Sequence, residues 1–364
     1  MTSYKDFTHK QSPFMNCLFK GIIATAILFL FISCNTGKKE FLPPIFEKQV
    51  KLKHTVIQDT LLLHSPKEII SFDKYVVMNT LTDGRYLHVY DKQTGEYLGG
   101  YVRNGQGPGE VATHCERIDY NKNERTITMS EMNTNHCFIF MFNDDLENLL
   151  TFETKINFSN DNKEGFERLF GFFRIDKNLY LSDYRIFPPS KNQNRRFSLI
   201  AETGEKTSKY NGFATDDFWA YTFISQRISV SPNRKKMACT TFYGAVLETF
   251  EVGDSIHLIQ EKLFYPIILN IKNDIAYLTD KTIQGFLDIC TSDEYIFSIL
   301  IGSTESNNKN ISVFNWNGDP VIRFETDIDI YNICYNEDDN LIYAIAMTED
   351  YDYILVTFDI ADYL

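Results

Sequence analysis

The chain runs to 364 residues, with 36 Lys and Arg set against 49 Asp and Glu, for a formal net charge of −13. That balance argues against nucleic acid as a partner, because neutralising phosphates takes a basic face. It also argues against lying flat on an anionic leaflet, and otherwise it speaks only to solubility.

The first 33 residues read as a targeting segment, to be set aside before the fold is considered. Lys20 supplies a positive flank, and Gly21 to Ile32 is an unbroken run of apolar and small residues. The run is too short for a comfortable bilayer span, which needs roughly 20 apolar residues. Ser33-Cys34-Asn35 follows, and then the polar stretch Thr36-Gly37-Lys38-Lys39-Glu40. A small residue directly before a cysteine, at the end of an apolar run, resembles the lipobox of bacterial lipoproteins. The resemblance implies a diacylated Cys34 sulfur, cleavage before that residue, and acylation of the new amine. Several chains anchor firmly where one is marginal.

Phe31 departs from the leucine commonest at its position, and the stretch before Lys20 is long, so Met15 is a second candidate start. The alternatives are an uncleaved anchor helix or an ordinary signal peptide. Residues 1–33 carry a net +2, which leaves −15 on the mature chain. Residues 34–46, with Pro43-Pro44, form a short tether, and 47–364 the folded domain. The expected location is the outer membrane, facing either the periplasm or the surface.

Val50 to Ile57 is a strand with no partner nearby in sequence. Thereafter one hairpin recurs six times: an apolar strand, an Asp/Asn-rich turn, and a second apolar strand. Taking Asp73, Asn121, Asp176, Asn233, Asp293 and Asp338 as turn markers, the steps are 48, 55, 57, 60 and 45 residues. Asp and Asn suit such turns because they bond their own backbone and tolerate left-handed φ. A second hairpin interleaves, starting near Leu87, Phe138, Phe197, Leu247 and Ile311, and its sixth copy stops after one strand, Tyr353–Phe358. Two hairpins per period make four antiparallel strands, one propeller blade. The fold expected is an all-β, six-bladed β-propeller whose ring is closed by the N-terminal strand, which removes exposed edges. Seven blades remain open if residues 250–286 hide another.

Ile228 to Ala238, with its Ser-Val-Ser-Pro-Asn-Arg-Lys-Lys core, resembles the strand-turn-strand of TolB-like propellers. Arg103-Asn104-Gly105-Gln106-Gly107-Pro108-Gly109-Glu110 resembles the Arg-Gly-x-Gly-Pro-Gly-Glu segment of six-bladed propeller lipoproteins abundant in Bacteroidetes, departing from it at Asn104 and Gly105. The resemblance implies a fold and a location, because most members of that group have no assigned activity.

Gly105, Gly107 and Gly109 permit positive φ and close backbone approach, while Pro108 fixes the middle of the segment. Two readings follow. The loop is either a binding loop at the channel with Arg103 and Glu110 as polar tips, or a tight crossover between blades with those two residues paired. The second is favoured.

The five cysteines beyond Cys34 are far apart and mostly lie in apolar runs, so they read as small buried hydrophobes. The histidines show no metal-binding spacing, although a propeller can gather ligands from several blades; His114 and His136 are candidates to face one another. No nucleophile elbow appears. Asp183 and Arg185 make a polar cluster near a blade rim. Trp219, within the aromatic run Phe218–Phe223, is a candidate to stack on sugar rings. Asp59-Thr60-Leu61 and Asp254-Ser255-Ile256 resemble the O-glycosylation acceptor of that bacterial group.

The functional expectation is a non-enzymatic, lipid-anchored, monomeric propeller that binds a peptide, glycan or protein partner without a cofactor. The alternative is a hydrolase or lactonase with a divalent cation such as Ca²⁺ at the channel mouth.

Overall fold

The computed structural model describes residues 40–61, 63–113, 115–131, 134–158, 166–187, 196–210, 226–268, 270–272 and 275–364. The lipobox at Cys34 and the aromatic run around Trp219 lie outside them.

Two short strands come first, β1 (Gln49–Leu52) and β2 (Thr55–Gln58). Blade 1 is β3 (Glu68–Phe72), β4 (Tyr75–Thr82), β5 (Arg85–Asp91) and β6 (Tyr97–Arg103). Blade 2 is β7 (Cys115–Asn121), β8 (Thr126–Glu131), β9 (His136–Phe142) and β10 (Leu150–Asn157). Blade 3 is β11 (Phe166–Asp176), β12 (Leu179–Phe187), β13 (Phe197–Ala201) and β14 (Lys206–Tyr210). Blade 4 is β15 (Gln226–Val230), β16 (Lys236–Thr241), β17 (Ala245–Val252) and β18 (Ile256–Tyr265). The described residues of 250–286, which left room for a seventh blade, hold the end of blade 4, a small hairpin, β19 (Asn270–Lys272) with β20 (Ile275–Tyr277), and the first residues of blade 5. Blade 5 is β21 (Gln284–Thr291), β22 (Tyr295–Ser303), β23 (Asn310–Asn315) and β24 (Pro320–Thr326). Blade 6 is β25 (Asp329–Asn336), β26 (Leu341–Met347) and β27 (Tyr353–Asp359), with β2 as its fourth strand.

Each blade is a four-stranded antiparallel sheet, so the six-bladed propeller read from the hairpin repeats is the fold observed. The N-terminal segment closes the ring in two steps. β1 adds to the outer strand of blade 5 in parallel, Val50 opposite Phe324. β2 then runs antiparallel to β27, Val56 opposite Val356.

The chain is already held before β1. Leu42 N–H donates to Leu263 O on β18, and Phe46 is buried edge-on against Phe314, 5.4 Å between ring centroids.

The two middle strands of each blade are buried along most of their length because both faces of a blade are covered. Successive side chains point to opposite faces, and here those faces meet different neighbours. On β9, Phe138, Phe140 and Phe142 pack toward blade 1, while Cys137 and Ile139 pack toward blade 3. On β26, Ile342, Ala344 and Ala346 pack toward blade 5, while Tyr343 and Ile345 pack toward blade 1. Among the described residues six apolar clusters form, one for each blade interface.

The turn markers do the work expected of them. Asn121 Oδ1 accepts from Asn123 N–H, and Asn233 Oδ1 from Lys235 N–H. Asp73 takes φ +48°.

Candidate functional site

The first strand of each blade lines the central channel, and a cavity of about 190 Å³ opens there. Its wall has two levels: the early residues of β3, β7, β15, β21 and β25, and the turns that end them. Five of the six first strands carry a polar side chain four to six residues before the turn marker: Glu68, Arg117, Arg227, Asp288 and Asn332.

These side chains stitch one blade to another. Glu68 Oε2 accepts from Ile118 N–H of blade 2 at 2.5 Å. Arg227 Nε donates to Leu287 O of blade 5 at 3.0 Å. Asp288 Oδ2 accepts from Ile333 N–H of blade 6 at 3.0 Å, and Asn332 Nδ2 donates to Lys67 O at the start of blade 1 at 2.9 Å.

Arg117 makes a longer reach. From blade 2 it passes blade 3 and donates to Gln226 O at 2.7 Å and Ile228 O at 3.3 Å, both on blade 4. Gly171 on β11 clears its path, since a Cβ there would lie 2.8 Å from Arg117 Cδ. At the turn level the bridge is repeated in reverse, where Arg234 of blade 4 pairs with Asp119 of blade 2 at 2.7 Å. Behind both, the fully buried Arg196 pairs with Glu248 at 2.5 Å and joins blade 3 to blade 4.

The charges are sorted by side. Blades 2 and 4 present Arg117, Lys122 and Arg234 to the cavity, together with Asp119, whose charge Arg234 offsets; blades 1, 5 and 6 present Glu68, Asp288, Glu337 and Asp338. Lys122 and Asp338 meet at the mouth, 3.0 Å apart. Burial lifts the Glu68 pKa to about 7, with Arg117, 4.0 Å away, pulling the other way. Burial raises Asp288 too. Phe72 stacked on Tyr120, centroids 3.6 Å apart, and Tyr335 add aromatic wall. The arrangement suits a small group carrying both charges: an anion against blades 2 and 4, a cation against blades 1, 5 and 6.

The Gly-rich loop is a closed crossover from blade 1 to blade 2. Glu110 folds back onto it, its carboxylate accepting from Gly107 N–H at 2.9 Å. A Cβ on Gly105 would sit 2.0 Å from that carboxylate, and Gly109 takes φ +70°. Pro108 and Arg103 are exposed. The expected Arg103–Glu110 ion pair is not found among the described residues; the carboxylate serves its own loop instead. None of these residues reaches the channel cavity.

Asp183 is buried in β12, its Oδ1 3.4 Å from where a Gly171 Cβ would stand, beside the path of Arg117. Arg185 lies two residues on in β12, opposite Arg168. His136 hydrogen-bonds Glu131 at 2.7 Å, and His114 falls outside the described residues. Burial works against ionisation of Glu131, but bonds from His136, Thr134 and two backbone N–H groups hold its pKa low. Cys239, Cys290 and Cys334 are free thiols, and Cys137 is buried. Among the described residues no group of three or more His, Cys, Asp or Glu is placed to hold a metal ion.

The channel residues were missed in the sequence, yet a signal was present. Aligning the first strands on their turn markers would bring Glu68, Arg117, Arg227, Asp288 and Asn332 to within two positions of one another in otherwise apolar runs.

Several solved structures resemble this one in fold. A Bacteroides fragilis protein whose given name describes it as exported superposes with a TM-score of 0.54 at 12% identity, over 85% of this chain and 98% of its own. U3-55K gives 0.51 at 7% identity, over 84% of this chain and 98% of its own. The WD40 repeats of RRP9 give 0.50 at 7%, over 88% and 99%. At such identities the likeness is one of fold. No curated protein matches the chain. The family model described as TolB-like 6-blade propeller-like matches residues 45–338, and the chain belongs to that family.

Proposed function

We propose that this chain is an envelope lipoprotein, acylated at Cys34, whose propeller binds a peptide partner through the central channel. The charge-sorted cavity carries the reading. A free peptide end is a compact ammonium or carboxylate on a polar backbone, and a short peptide offers both. Arg117, Lys122 and Arg234 suit the carboxylate, while Glu68, Asp288 and the aromatic wall of Phe72, Tyr120 and Tyr335 suit the ammonium. The anchor is supported by the Ser33-Cys34 lipobox and by membership of the TolB-like family.

Calorimetric titration of tripeptides tests the channel. Free tripeptides are expected to bind, and the same sequences acetylated and amidated to bind at least about tenfold more weakly, the scale of one lost charged hydrogen bond. Glu68→Gln and Lys122→Ala are each expected to weaken the free peptides by a similar factor. Equal affinity for capped and free peptides, or variants that bind like the parent, would overturn the channel as the site.

A further inference from the structure

We propose that the outer edge of blade 4 is a lipid-facing surface, seated against the bilayer that holds the acyl chains of Cys34. This rests on the anchor reading above.

Three observations meet at that edge. The first is reach. Leu42 is fixed to β18 by its N–H to Leu263 O, 2.9 Å. Only seven residues separate Cys34 from Leu42, and the eight steps between them, fully extended, span at most about 29 Å. A globular domain of this length is about 50 Å across, so the tether cannot pass round to the far blades. Whatever surface holds the lipid lies on the side where Leu42 is pinned.

The second is exposed apolar surface. Along β18 the backbone enters a run, His257 to Gln260, exposed at every position; Leu258 and Ile259 are 40% and 36% exposed. Ile45 in the lead-in is 81% exposed, and Leu278, just after the β19–β20 hairpin, is 60% exposed beside Tyr277. Leu258 and Ile259 are adjacent on β18, and Ile45 lies three residues past the Leu42 bond to that strand; large apolar side chains left in water mark an interaction surface, and aliphatic residues with tyrosine are the set that settles at a membrane interface.

The third is the edge itself. β18 is the last strand of its sheet, whereas the outer strands of blades 5 and 6 are covered or supplied by the N-terminal segment. An outer strand left open is ordinarily guarded by charge. Here Leu258 and Ile259 stand exposed between His257 and Gln260, and the strand's charges, Glu261 and Lys262, come after them. The net charge of −15 does not oppose the contact, because these side chains would enter lipid by apolar burial and need no anionic headgroup.

The acylated protein on phosphatidylcholine vesicles supplies the test. An environment-sensitive fluorophore is placed at Ile45→Cys, Ile259→Cys or Leu278→Cys, and at Tyr351→Cys, 81% exposed in blade 6, as the control. The expected result is a blue shift and quenching by spin-labelled lipid at the first three positions and neither at 351. Acylated, vesicle-bound protein whose three probes report water would overturn the blade 4 surface and leave the anchor standing. Protein that carries no acyl chains by mass, and a Cys34→Ala variant that still fractionates with membranes, would instead overturn the anchor reading.

Discussion

Glu68 holds its place through Ile118 N–H and Arg117, yet burial lifts its pKa from 4.5 to about 7. The folded protein therefore binds that proton more tightly than the unfolded chain does. The extra stability is complete below about pH 4.5 and is lost as pH rises through 7, by about 3 kcal/mol at most. Asp288 contributes in the same sense. Denaturant unfolding between pH 4.5 and 8 should show stability falling over that window, and Glu68→Gln should flatten the fall; an unchanged slope in the variant would refute the assignment. The residue scale is also where the sequence was least legible. Its period revealed buried strands, but a lone charge in an apolar run says nothing of which neighbouring backbone it meets. Gly171 shows why: its meaning lies in Arg117, 54 positions earlier in the chain. Glu110 makes the same point at short range. Opposite charges at the two ends of the Gly-rich loop suggested a pair, but a bent loop offers N–H groups closer to the carboxylate than Arg103 is.

Hairpins were the most legible units, because alternating apolar runs broken by Asp and Asn turns need no tertiary knowledge to recognise. Each of the six first hairpins and five second hairpins read from the sequence is a strand pair in the structure. The closing segment was only half legible. A single strand was expected, whereas two short strands serve two blades, with the bend between them at Lys53-His54. Residues 42–63 thus clasp blade 4 through Leu42, blade 5 through β1, blade 6 through β2, and blade 1 through Leu61 and Leu63. Phe46 is the clasp's largest buried side chain, 6% exposed within the cluster between blades 4 and 5. Phe46→Ala should cost about 3–5 kcal/mol in chemical denaturation, against a few tenths for Leu42→Ala, which leaves the Leu42 backbone bond intact. A small effect at Phe46 would mean that the lead-in adds nothing to the ring.

At the scale of the whole molecule, the propeller is a rigid frame that brings one strand from each blade to a common axis. Charges from five blades, scattered over some 270 residues of sequence, meet in one small cavity. The contact between blades 2 and 4 across Gly171 ties the basic side together, and the turn-level pairs fix the mouth. The same frame keeps the channel apart from the outer edge of blade 4, β15 and β18 being the two ends of one sheet. Hydrogen–deuterium exchange of the protein with and without a bound free tripeptide tests the central claim most directly. Protection is expected in β7, β15, β21 and β25 and in the turns carrying Lys122, Arg234 and Glu337, with the outer strands unchanged. Protection confined to outer strands or to the Gly-rich loop, with the channel strands exchanging as before, would contradict it.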